Sequence, residues 1–311
     1  MSKKIVYRPR ISSKDIRKKI KFFYTEKFFN KWMSKYEYSF LTYQQKHYMM
    51  KKFWSEGSIA VSEVYGVEDL IMRGLIDMEG NEIIFTPWTF ANRYNIYDFP
   101  THVNLINTRG VKFITPRELE VDKEVVIIWA QKNHKSVFSS IEAKLNELVD
   151  IEMKKRVARK AQSQPWMFTF SPEDYAQAKI LEDQLDNDEP YMFVPFQDVD
   201  KVKGIASGAP YVVDKFEQDR QKCEDDILTM LGVNNVGIGE KKEHLIVDEV
   251  NANNENVEQQ SISFQSEIES GFERVYKCFG KKIDVIDMNE IINKEVEEED
   301  KDNDTTDNSN D

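Results

Sequence analysis

The stretch GAPYVVDKFEQDRQKCEDDILTMLGVNN, residues 208–235, decides the fold by where it starts, stops and changes character. Pro210 is preset for a first helical turn, and Gly232 stands where a helix leaves the right-handed region. The spacing predicts a helix from Ala209-Pro210 to Gly232. Its ends are apolar, with Tyr211, Val212, Val213 and Phe216 at one and Ile227, Leu228, Met230 and Leu231 at the other. Between them EQDRQKCEDD (217–226) is polar on every face apart from Cys223. A helix polar all round spans solvent or lies among other polar helices. That is a first hint of an assembly larger than a monomer. After it, GVNNVGIGEKKEHLIVDEVNANNENVEQQ (232–260) reads as a long polar loop, of a length that compact domains keep only for a use. The amphipathic helix FQSEIESGFERVYKCFG (264–280) follows, and then the strand-like KKIDVID (281–287).

Outward from this helix, residues 137–162 predict another. Phe138, Ile141, Leu145, Leu148, Val149, Met153 and Val157 form one stripe, and its last turns carry Lys154, Lys155, Arg156, Arg159 and Lys160. Between the two lies an insert. PWMFTF (165–170) reads as a strand, Ser171, Pro172 and Asp174 cap a helix to about Asn187, and YMFVPF (191–196) reads as a second strand. Residues 14–55 contain no Gly or Pro and repeat apolar residues at three and four, which predicts one or two helices. From 82 to 130, runs such as EIIFT, HVNLINT and EVVIIWAQ predict the short strands of a small sheet.

Charge is divided between the ends. Met1 to Trp54 holds 15 Lys and Arg against three acids (Asp15, Glu26 and Glu37), a balance of +12. Glu295 to Asp311 holds nine acids and Lys301, a balance of −8. The tail has little to bury and is expected to be disordered. No run approaches the roughly 20 apolar residues of a membrane span, and the first residues read as no secretory signal. Two cysteines, Cys223 and Cys278, read as reduced thiols of a cytoplasmically made protein. The four histidines (His47, His102, His134 and His244) fall in no ligand spacing, and no nucleophile or phosphate-loop motif occurs. No enzyme, metal or cofactor is expected. In the head, Lys and Arg interleaved with aromatics suit either a strand-binding surface or an amphipathic helix with an aromatic core face. Lys3, Lys4, Arg8 and Arg10 precede that helix and are candidates for a basic arm touching DNA or a partner.

At 208–283 the chain resembles a known family. APYVVDK (209–215), LG (231–232), EKKE (240–243) and DEV (248–250), in this order and near this spacing, resemble the head-to-tail connector of small short-tailed phages with protein-primed linear genomes. That protein is also called the portal or upper collar protein. The resemblance implies a mainly helical α+β portal fold assembled as a ring of about twelve copies. It implies an N-terminal arm and wing (1–136), a stem helix (137–162) and a β-α-β clip (163–204). A second stem helix (205–232), a channel or tunnel loop (233–250), a wing and crown continuation (251–290) and an acidic tail (291–311) complete it. Lys241 and Lys242, in the matching EKKE, are then the lysines that meet double-stranded DNA in the channel. The implied partners are further copies of the chain, the major capsid protein, a lower collar or tail protein and a packaging ATPase. Some relatives also hold a packaging RNA on the basic arm. The run NNVGIG (234–239) and the acidic tail are this sequence's own. The competing expectations are a basic, aromatic replication protein that binds nucleic acid, and another virion structural protein of the tail or minor capsid.

Overall fold

The computed structural model describes residues 12–63, 83–106, 118–163, 166–169, 203–206, 211–234 and 247–288. These fall into two compact units, one within Met1–Asn146 with Glu224–Asp311 and the other within Glu147–Cys223.

Helix α1 (Ser13–Lys35) starts where Ser12 Oγ accepts from the Asp15 N–H at 3.1 Å. It buries Tyr24, Phe28, Phe29 and Trp32. The chain then straightens into β1 (Tyr36–Tyr38) and turns into α2 (Tyr43–Ser55), which opens on a capping box between Thr42 and Gln45. Helix α2 turns Met49, Met50, Phe53 and Trp54 inward. The predicted helical head is therefore two helices, and the break between them is a strand. No local signal marks Tyr36–Tyr38, because its partner is β10 (Val285–Asp287), at the far end of the chain.

Strand β2 (Ser58–Glu63) lies between β3 (Ile83–Thr86) and β7 (Val126–Trp129) in an antiparallel sheet. It was not among the expected strands. Its first five residues are all buried, so the alternation that betrays a half-exposed strand is absent. A second sheet joins β4 (Trp88–Tyr94), β5 (Pro100–Leu105) and β6 (Leu119–Glu120), with register shifts between Phe90 and Tyr94. At the β4–β5 turn Asn95 Oδ1 accepts from the N–H groups of Tyr97 and Phe99, and Ile96 and Tyr97 point to solvent.

Helix α3 (Val137–Ser163) covers the predicted span. Ile141, Leu145, Leu148 and Val149 are buried, but the stripe ends before Val157, which is exposed. After it β8 (Trp166–Thr169) pairs antiparallel with β9 (Lys203–Ala206), Trp166 opposite Ala206. Strand β9 was not expected. The predicted helix to Asn187 and the strand at 191–196 lie outside the described residues.

Helix α4 (Val213–Met230) is followed by α5 (Val247–Phe279), and α5 overturns one expectation. The polar stretch read as loop to Gln260 is helical from Val247 onward. Asn lowers intrinsic helix propensity, but packing supplies most helical stability in a folded protein. Val257, Ser261, Phe264, Ile268, Phe272 and Val275 form a buried stripe at three- and four-residue spacing. Helix α5 seats on β7 through Gly271, where a Cβ would come within 2.6 Å of Ile128 Cγ2. Arg274 clasps the same sheet, donating to the Ile127 carbonyl at 2.6 Å and to Asp122 at 3.0 Å.

Candidate functional site

The end of α4 is built to deliver the chain along one path. The Val233 N–H reaches back to the Leu228 carbonyl at 2.9 Å and the Gly232 N–H to that of Thr229 at 2.9 Å. These are the two hydrogen bonds of a Schellman motif, and Gly232 at φ +64° supplies its left-handed residue. Its carbonyl is then taken by Lys35 Nζ, from the last turn of α1. Lys35 Nζ lies 3.5 Å from Asp287 Oδ2, and the Lys35 and Asp287 side chains are 1% and 3% exposed. Ser261 Oγ, on α5, donates to the same carboxylate oxygen at 2.5 Å. Lys35 also stands 5.0 Å from the ring centroid of Tyr36, whose hydroxyl is pushed up by burial and then by the charge of Asp287.

Four elements (α1, α4, α5 and β10) thus meet on one ion pair at the point where the chain leaves α4. A Cβ on Gly232 would lie 2.7 Å from the Ser261 nitrogen, so only glycine fits there. Sequence reasoning missed Lys35 and Asp287. The signal was present, since Phe28, Trp32 and Lys35 follow one stripe and a lysine stands where an apolar residue belongs.

The polar middle of α4 differs from its first reading. Glu224 is buried and accepts from Lys27 at 2.8 Å, and Lys144 reaches Asp226 at 3.1 Å. Lys31 nearby is held below the ordinary lysine range by burial and then by Lys27. In the other unit Glu217 accepts from Lys155 at 2.9 Å and from Arg220 at 2.6 Å, and Lys155 also bonds Glu152. The chain's own cations therefore satisfy these acids, and buried charge is tolerated because it is paired.

Hydrogen bonds from Arg220 and then Lys155 depress Glu217 to about 2 from 4.5. Its ionised form contributes stability that is complete above 4.5 and lost as pH falls from there towards 2. The share is small, well under about 1 kcal/mol, because the pair is part-exposed and screened. Glu217→Gln is expected to narrow the difference in urea stability between about pH 6 and about pH 3. An unchanged difference would mean that the pair contributes nothing.

The residues singled out in the sequence for DNA contact are not part of this geometry. Lys241 and Lys242 lie in 235–246, and Lys3, Lys4, Arg8 and Arg10 lie in 1–11, all outside the described residues. The structure describes the two ends of the first segment, Asn234 after α4 and Val247 at the start of α5. Among the described residues no group of three or more His, Cys, Asp or Glu could hold a metal ion, and no helix is long and apolar enough to cross a membrane.

The family model described as Phage Connector (GP10) matches residues 10–292 of this chain. The chain belongs to the phage connector family. It is a head–tail connector, or portal, protein and so a structural component of the phage particle. The same match decides against the replication-protein alternative. Several solved structures are similar to the connector at low identity. The portal and tail of native bacteriophage P68 is 14% identical at a TM-score of 0.43, covering 89% of this chain and 91% of that one. An HK97 family portal protein from Corynebacterium diphtheriae is 7% identical at a TM-score of 0.46, covering 90% and 96%. The neck of a native gene transfer agent particle, computed with C12 symmetry, is 10% identical at 0.42, covering 90% and 84%.

Proposed function

We propose that the connector assembles as a ring of about twelve copies whose channel passes double-stranded DNA during packaging, retention and ejection. The family match over 10–292 carries this reading. Helices α3 and α4 form the stem, the segment around β8 and β9 forms the clip, and the sheets with α1, α2 and α5 form the wing. The wing sits in the capsid shell and the clip faces the tail and the packaging ATPase, which supplies the work. The connector itself catalyses nothing and acts as conduit and docking platform. The exposed apolar tip at Ile96 and Tyr97 suits a surface that the particle covers.

The segment between α4 and α5 hangs into the channel, and Lys241 and Lys242 hold DNA phosphates transiently without reading sequence. The latch at Gly232 supports this reading, because it anchors the chain just before that segment. Light scattering and imaging of the purified chain test the ring. Replacing Lys241 and Lys242 with Ala is expected to leave the ring intact and to weaken duplex binding. The slope of log K against log salt should flatten by about 1 for each phosphate that the variant no longer neutralises. If the double variant formed no ring, the segment would be structural. If it bound duplex as the parent does, the lysines would not be the groups that hold DNA.

A further inference from the structure

Helix α1 presents a face that its core packing does not use. Phe22 and Phe23 are 67% and 61% exposed, one turn after the exposed Lys18 and Lys19. On α5, in the same compact unit, Glu255 and Glu258 are exposed and Ile262, one turn beyond Glu258, is 53% exposed. Among the described residues these four charges pair with no opposite charge of their own chain. Each face is about two turns, or about 11 Å, long. One is cationic and aromatic; the other is anionic and aliphatic.

We propose that the Lys18, Lys19, Phe22 and Phe23 face of α1 docks on the Glu255, Glu258 and Ile262 face of α5 in a second copy of the chain. The inference rests on the ring assembly proposed above. A closed ring is heterologous, so each subunit must carry two different and complementary surfaces. These faces are different and complementary in charge. Pairing α1 with α1 would gather four lysines with no acid of that face to answer them, whereas α5 supplies two. The aromatics supply buried area as anchors, and the charges set partner and register. Lysines beside aromatics also suit a nucleic-acid strand. A strand, however, would leave the acidic α5 face unused, and a second copy uses both.

The test is a charge swap in the full-length chain. Lys18→Glu with Lys19→Glu, and separately Glu255→Lys with Glu258→Lys, should each keep the parent's circular dichroism, since exposed substitutions barely alter stability. Each pair should raise the concentration at which rings appear by about tenfold or more. Combining all four substitutions restores opposite charges across the interface and should return ring formation towards the parent value. Rings from both charge-reversed pairs at the parent concentration would overturn the inference and leave the ring reading standing. So would a loss of duplex binding in the α1 pair with unaltered rings, which would assign the face to nucleic acid. A parent chain that forms no ring under any condition tried would remove the ring reading, and this inference with it.

Discussion

Replacing Lys35 with Met is expected to lower folding stability by about 3–5 kcal/mol, measured by urea unfolding of the dissociated chain. The change keeps an unbranched apolar stem of similar length and removes only the ammonium group. What remains is a buried carboxylate at Asp287 that has lost its ammonium partner, and a Gly232 carbonyl without its lysine. Removing one partner of a buried ion pair costs far more than the pair itself contributes. The double variant Lys35→Met with Asp287→Asn should therefore recover most of the loss, because Asn can still accept from Ser261. A single variant within about 1 kcal/mol of the parent would show that water reaches the pair and screens it. Because Gly232 ends α4, the single variant should also loosen the chain where it leaves that helix, read as faster amide exchange at Gly232 and Val233.

Trp32→Ala is expected to cost about 3–5 kcal/mol as well, by a different route. The indole is fully buried, with ring centroids of Tyr36, Trp54 and Phe264 at 6.2, 6.0 and 5.9 Å. It joins α1, α2 and α5, so its removal opens a cavity that three elements cannot close together. Its Nε1 has no hydrogen-bond partner among the described residues, so truncation strands no polar group and the loss is one of packing. Phe22→Ala, ten residues earlier on the same helix, should stay within about 0.5 kcal/mol in the dissociated chain, where that ring is exposed. Equal effects at Trp32 and Phe22 would mean that α1 turns a different face to the core.

That contrast shows what α1 leaves open when read alone. Phe22, Phe23, Phe28 and Phe29 are the same residue on one helix, and the sequence offered either an aromatic core face or a strand-binding surface. One helix carries both a buried and an exposed aromatic pair. The later pair packs into the core, and the earlier pair is exposed among the described residues. The polar middle of α4 carries a similar lesson. Its composition argued for neighbours in other copies, yet Lys27, Lys144 and Lys155 of the same chain answer Glu224, Asp226 and Glu217. Of the candidate site, the sequence pointed to Gly232 as the end of α4. It did not point to the latch, whose members come from α1, α5 and β10.

By itself the sequence determined the span of α3, the end of α4 at Gly232, the strand-rich character of 82–130, and the family through APYVVDK and EKKE. These signals are local: a cap, a left-handed glycine or an apolar stripe acts within one or two turns. Only the tertiary structure decided that β1 pairs with β10, that β2 is the central strand of its sheet, and that α5 begins at Val247. It alone placed Lys35 on Asp287. The pairing of β1 with β10, the place of β2 and the contact of Lys35 with Asp287 each depend on a partner far along the chain, because burial and charge pairing are set by what meets in space.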